Sequence, residues 1–244
     1  MLMAQFSNFQ NILPEPNNSI GDAGQTTGSA GPGFASVKIT SEEPYLTDRT
    51  NSGRLLARAV AYHKWKINIS YNPMTREQFD PIYMFLLQRR GPLNSFYVSL
   101  PQHRVSKDST FATHAAAENL TINEANGYAA GTTSVTVDGP NYVISTKSTP
   151  KPGDLFTIDG SNSNHEKAYM VTRVETPTDY KGTAPATNNL RIHFIPGLAK
   201  SVADQDELVF NTPLIKVAKL GNVQEYSLDS NNLYKFSLNL EEVQ

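Results

Sequence analysis

The chain has 244 residues, enough for one large or two modest domains with a full core. Lys and Arg number 21 against 23 Asp and Glu, and a net charge of −2 with 18% charged residues leaves no basic footprint for nucleic acid. The absence of cysteine excludes disulfides, thiol chemistry and thiolate metal sites, and no apolar run reaches transmembrane length.

Residues 1–34 divide in two. Phe6, Phe9, Ile12 and Leu13 can dock as a short segment, whereas Pro16–Gly33 holds too little apolar surface to fold alone. The whole stretch reads as a flexible N-terminal arm, floppy in isolation and able to lie on a neighbour in an assembly. It lacks the basic start and apolar block of a signal peptide, so the expectation is a soluble chain made in a cytoplasm.

Strand-like text begins at Ala35–Ile39 and returns over Leu55–Tyr71. Within the latter, Trp65, Ile67, Ile69 and Tyr71 alternate with Lys64, Lys66, Asn68 and Ser70, the period of two that sets a core face against a wet one. Asn72-Pro73 ends the strand, because proline has no N–H for a ladder. Thr75-Arg76-Glu77-Gln78 has capping-box spacing, and Phe79, Ile82, Tyr83 and Leu86 follow at helical intervals up to Arg89-Arg90-Gly91. Pro81 allows two readings: a helix kinked there, or one capped by Asp80 with Pro81 at its first position. Phe96–Leu100 is the next strand, stopped by Pro101.

From Gln102 to Asn126 no period is sustained. Residues 131–212 then read as a small antiparallel module. Its strands are Thr133–Val137, Leu155–Ile158, Ala168–Val174, Leu190–Ile195 and Glu207–Phe210, punctuated by Asp138-Gly139, Pro152-Gly153, Asp159-Gly160 and Pro196-Gly197. Thr176–Asn189 is an exposed connection. Leu214–Leu220 is a strand. The stretch Leu233–Val243 then places Tyr234, Phe236, Leu238 and Leu240 opposite Lys235, Ser237, Asn239 and Glu241. A chain that closes on so regular a strand pairs it with earlier elements. The expected organisation is therefore residues 35–103 with 213–244 as one β domain, interrupted by 104–212, a linker and an inserted β module. The fold class is mainly β, a barrel or sandwich with one short helix plus a small antiparallel insert.

Nothing in the text builds a catalytic centre. His165-Glu166 is the one adjacent His–acid pair, but it falls in the polar loop Ser161–Lys167, an exposed turn, without further ligands at zinc spacing. His63, His103, His114 and His193 are isolated; Asp204, Asp206 and Glu207 are acidic but lack an EF-type loop. Asp154 and Asp159, which a glycosidase would need as a pair, sit among turn residues. No nucleophile elbow, P-loop or dinucleotide fingerprint occurs, so neither an enzyme nor a cofactor is expected. Trp65, Tyr71, Tyr97, Phe156, Tyr169 and Phe194 read as core; exposed, they would stack on sugars and make 131–212 a carbohydrate binder.

The strand Trp65–Tyr71, the helix from Thr75 to Gly91, the strand Asn94–Pro101 and the closing strand Tyr234–Glu242 together resemble the distal tail proteins of long-tailed bacteriophages. The likeness is strongest to minor tail proteins of the lambda M type. Thr132–Val137 after Gly131, and Pro152–Ile158, look like small β domains inserted in phage structural proteins. The resemblance covers most of the chain from about residue 35; the insert and the polar N-terminal tail depart from shorter family members. It implies a virion protein of the phage tail, made in the host cytoplasm. Such proteins form a homo-oligomeric ring, typically a hexamer, that joins the tail tube protein to the baseplate hub protein, with no role for membrane or sequence-specific nucleic-acid binding. In such a ring Lys64, Lys66, Asn68 and Ser70 would line the lumen; on an isolated chain they would face ordinary solvent. The alternative is a host-surface carbohydrate-binding β module on the tail tip.

Overall fold

A computed structural model describes residues 11–14, 33–59, 62–139, 141–160, 165–180, 186–221 and 226–243. In chain order the first elements are β1 (Phe34–Glu42), β2 (Tyr45–Arg49), β3 (Leu55–Ala59), β4 (Lys64–Tyr71), α1 (Arg76–Arg89) and β5 (Phe96–Ser99). Next come α2 (Ser109–Ala115), β6 (Leu120–Ile122), β7 (Ser134–Asp138), α3 (Ile144–Lys147), β8 (Leu155–Asp159), β9 (His165–Glu175), β10 (Leu190–Ile195) and β11 (Glu207–Val209). The chain closes with β12 (Leu214–Lys219), β13 (Ser227–Leu228), β14 (Tyr234–Lys235) and β15 (Ser237–Glu242). The fold is mainly β, with a closed six-stranded barrel and separate sheets. It divides into two compact units, residues 1–98 with 216–243 and residues 99–215.

The first unit is built on a five-stranded sheet in the order β1-β4-β15-β12-β5. β4 and β15 alternate as their sequences require: Trp65, Ile67, Ile69, Tyr71, Leu238 and Leu240 are buried, and the residues between them face out. Helix α1 covers the apolar face, burying Phe79, Ile82, Phe85 and Leu86; Phe79 meets Phe236 at 6.0 Å between centroids and Phe85 meets Phe96 at 5.5 Å. Each such side chain contributes roughly 1.5–3 kcal/mol on burial. Thr75 is the N-cap and its N–H donates to the Gln78 side chain at 3.1 Å, so Pro81 lies inside the helix and the Asp80-cap reading is excluded. Phe85 is buried where Tyr83 is only half-buried, a shift of the apolar stripe toward the side that meets Phe96. Arg90 ends the helix in the left-handed conformation, its N–H reaching the Leu87 carbonyl.

Part of the N-terminal segment belongs to this unit. Leu13 is fully buried, its N–H donates to the Tyr97 carbonyl at 2.8 Å, and the Tyr97 N–H donates to Asn11. The Tyr71 hydroxyl donates to the Pro14 carbonyl at 3.0 Å. Ile12 and Leu13 thus dock, while Phe6, Phe9 and most of Pro16–Gly33 lie outside the described residues. The single stretch Leu55–Tyr71 is two strands. β3 pairs with β2 in a ribbon around the Asn51–Gly53 turn, and β4 pairs with β1 and β15.

The second unit is the barrel, closed in the order β10-β7-β6-β11-β8-β9. Its interior is packed with Phe156, Tyr169, Phe194, Phe210, Phe111 and branched aliphatics. Phe156 contacts the rings of Tyr169, Phe194 and Phe210 at 5.5, 5.5 and 5.1 Å. Gly127 has φ +62° and a Cβ there would lie 2.0 Å from the Val202 carbonyl oxygen, so the turn into β7 requires glycine. The stretch without periodicity holds α2 and β6. Helix α2 is only seven residues long and is started by Asp108, whose carboxylate accepts the Thr110 and Phe111 N–H groups. No helix among the described residues is long and apolar enough to cross a membrane.

Candidate functional site

The wet face of the first unit's sheet is the one extended polar surface that the sequence pattern marks out. β4 contributes Lys64, Lys66, Asn68 and Ser70. The register aligns Glu42 with Lys64, Thr40 with Lys66, Lys38 with Asn68 and Ser36 with Ser70 on one side. On the other side Glu241 aligns with Lys66, Asn239 with Asn68 and Ser237 with Ser70. Directly paired residues point the same way, so three strands present one continuous polar wall.

Its charges are arranged diagonally. Lys66 Nζ binds Glu42 at 2.8 Å, although Thr40 is its backbone partner on β1. Lys64 binds Glu241, although Lys66 is the backbone partner of that carboxylate. The twist of the strands brings residues one step removed into reach across the pair. The hydrogen bond that Lys64 donates to Glu241 raises its pKa above the usual value, and the one that Lys66 donates to Glu42 does the same there; the further carboxylate adds to both. Toward the other end the wall turns neutral, with Ser36 and Ser70 hydroxyls 2.8 Å apart and an Asn68–Asn239 row beside them.

Both carboxylates of this set, Glu42 and Glu241, are paired with an ammonium. Sequence reasoning found the β4 residues and the β15 face, yet missed Glu42 and Ser36. Continuing the alternation of Ala35–Ile39 to Glu42 would have found them.

The other candidates are structural. Asp154 is buried and accepts the Lys107 and Lys151 N–H groups and the Ser106 hydroxyl. Asp159 ends β8 at an exposed position, so the two carboxylates do not form a paired site. Asp204 and Asp206 accept the Glu124 and Ala203 N–H groups, and Glu207 accepts the Asn119 amide. His63 meets the Ser41 hydroxyl at 3.0 Å, and His193 lies 3.3 Å from Glu175 and 3.0 Å from Arg173. The backbone of His165 and Glu166 begins β9 rather than lying in a loop, and their side chains lie outside the described residues. No group of three metal-ligating side chains occurs among the described residues. Trp65, Tyr71, Phe156, Tyr169 and Phe194 are buried and Tyr97 is half-buried, so these rings offer no exposed sugar platform.

One further surface of the first unit stands out. The β2–β3 ribbon pairs with no third strand among the described residues, yet it carries Tyr45, Leu46, Leu55 and Leu56 at 69%, 66%, 54% and 49% exposure.

No family model matches the chain. It is similar to distal tail protein pb9 of Escherichia phage T5, with 26% identity over 222 residues that cover 87% of this chain and 93% of that protein. A likeness of that extent supports a place among phage distal tail proteins and a structural role in the tail.

Proposed function

We propose that the chain is a virion component in which copies close into a ring, of six subunits, at the distal end of a phage tail, joining the tube to the baseplate hub. The observation that carries the tail assignment is the similarity to pb9 along nearly the full length of both chains. The ring rests on the β2–β3 ribbon. A two-stranded ribbon is marginal in water, and four large apolar side chains on it remain exposed on the single chain. The register puts Leu46 and Leu56 on one face and Tyr45 and Leu55 on the other, and a second copy laid against the Leu46–Leu56 face would cover it through a heterologous contact, the kind that closes rings. In that ring Lys64, Lys66, Asn68 and Ser70, with their partners on β1 and β15, form the channel wall.

Light scattering on the purified chain, with negative-stain images of the same sample, tests this reading. Annular particles of about six times the 26.9 kDa chain mass are expected. Replacing Leu46 and Leu56 together by Gln should reduce the mass to that of one chain without altering the circular dichroism. A ring that survives the double substitution removes the ribbon from the interface. A chain that stays monomeric at every concentration, alone and with its tube protein, overturns the ring.

A further inference from the structure

The first unit carries a second exposed apolar surface besides the ribbon. Helix α1 turns Phe79, Ile82, Phe85 and Leu86 into the core. On its other side Met84 and Leu87, three residues apart, stay open to solvent at 45% and 47%. Leu93, just beyond the helix, is 78% exposed, and Leu220, which follows β12, is 42% exposed. The fold holds these segments together. The Asn94 N–H donates to the Arg89 carbonyl at 3.1 Å, and a Cβ on Gly91 would lie 3.7 Å from the Gly221 carbonyl oxygen. Single exposed apolar residues are ordinary on a surface, but several in adjoining segments mark a contact site.

Placement and charge indicate what covers it. In the sheet, β1 and β5 are the outermost strands on opposite sides. The ribbon springs from the end of β1, whereas Leu93 leads into β5 and Leu220 leaves β12, the neighbour of β5. Ribbon and helix surface thus belong to opposite sides of one sheet, and they are the two unlike surfaces that a heterologous contact needs. Their charges also run in matching order. On α1, Glu77, Asp80, Met84 and Leu87 follow at intervals of three, four and three, which lines them along one face, and Arg90 stands at the C-cap. Acid lies at one end, with Asp80 shared by Arg76 at 3.2 Å, and a cation at the other. On the ribbon, Leu46 shares a row with Arg58, and Leu56 shares the next row of that face with Asp48. Laid so that Leu46 meets Met84 and Leu56 meets Leu87, the ribbon brings Arg58 toward the acidic end and Asp48 toward Arg90. The reverse lay sets Arg58 beside Arg90 and Asp48 beside Asp80, which like-charge repulsion disfavours.

We infer that the ribbon face bearing Leu46 and Leu56 docks on the α1 face bearing Met84 and Leu87 in a neighbouring copy, with Arg58 and Asp48 fixing which way it lies. This rests on the ring reading above and names the surface that receives the ribbon.

The chain has no cysteine, so introduced thiols are the only targets of a bismaleimide cross-linker. An equal mixture of Leu56→Cys chains and Gln88→Cys chains should yield one main product of two chains' mass, its linked peptides joining positions 56 and 88. Cross-links between two ribbons, or none in a sample that retains the ring mass, overturn the inference. Met84→Gln with Leu87→Gln should lower the ring to the mass of one chain. Both positions are exposed and glutamine is a good helix former, so the circular dichroism should not move. Mixed with the chain carrying Leu46→Gln and Leu56→Gln, this variant should recover a single contact, giving a two-chain particle and nothing larger. Rings from the helix variant, while the ribbon variant stays monomeric, leave the ring standing and overturn its seat on α1. An unsubstituted chain that forms no ring, alone or with its tube protein, removes both readings, and light scattering shows that before any thiol is introduced.

Discussion

The two units solve the problem of strand edges in opposite ways. In the barrel every strand has two neighbours, and the inward side chains meet one another across a closed interior. In the first unit the sheet is open, one face is sealed by α1 and the other is left wet, and the β2–β3 ribbon stands without a third strand. Closure removes edges and leaves little for another chain to pair with; an open sheet with a bare ribbon does the reverse. On the reading proposed above, assembly would fall to the first unit, whose ribbon and sheet are open, rather than to the closed barrel.

The sharpest test of that division is Phe156→Ala. It removes the ring at the centre of the barrel's aromatic cluster and should cost about 3–5 kcal/mol. Hydrogen exchange should show β6–β11 losing protection while β4 and β15 keep theirs. Equal loss in both would mean that the units fold as one.

Leu13→Ala makes the reciprocal change, emptying a fully buried site in the first unit at a cost of about 2–4 kcal/mol. Here protection of β5 should fall and that of β8 should stay, read by the same exchange experiment. A change below 0.5 kcal/mol, roughly the size of a surface substitution, would mean that the N-terminal segment is not anchored through Leu13.

Asp108→Ala is the smallest perturbation and concerns the start of α2. Loss of an N-cap costs about 1 kcal/mol. The carboxyl is held at about 2 by the Phe111 N–H first, then by the Ser148 hydroxyl and Lys151, against an ordinary value of 3.8. Because the folded value is the lower one, the stabilisation is fully present above the unfolded pKa and fades as pH falls from about 4 toward 2. Denaturant midpoints of variant and wild type should therefore differ at neutral pH and converge in acid. A constant gap across that range would show that the carboxylate is not the stabilising group.

What could be read from the sequence followed the reach of local pattern. β4 was marked over Lys64–Tyr71 by alternation alone, and the closing strand likewise, because a half-buried strand writes its burial directly into its spelling. Helix α2 was not visible: seven residues give less than two turns, and its start depends on one Asp rather than on a stripe. The ribbon was missed because Leu55 and Leu56, apolar yet exposed, merged with the buried strand that follows. At the polar wall the four β4 residues were legible but their ion pairs were not, since diagonal contacts depend on twist and register. The enclosed His114 Nε2 and Glu118 Oε2 atoms, without a hydrogen-bond partner among the described residues, could not be foreseen at all. They arise from how a short helix, its following turn and Asn141 come together in space.

The docking of Asn11–Leu13 along β5 has a consequence for how copies can join. That flank of the sheet is already occupied by the chain's own N-terminal segment, whereas among the described residues β1 pairs only with β4 on the opposite flank. The sheet therefore has a plugged side and a receptive side. Copies that joined through these two flanks, as the proposed ring allows, would meet unlike edges, so a chain of such units would have a direction. Such an assembly would be vectorial, head distinct from tail, because the difference between the flanks already exists in the single chain.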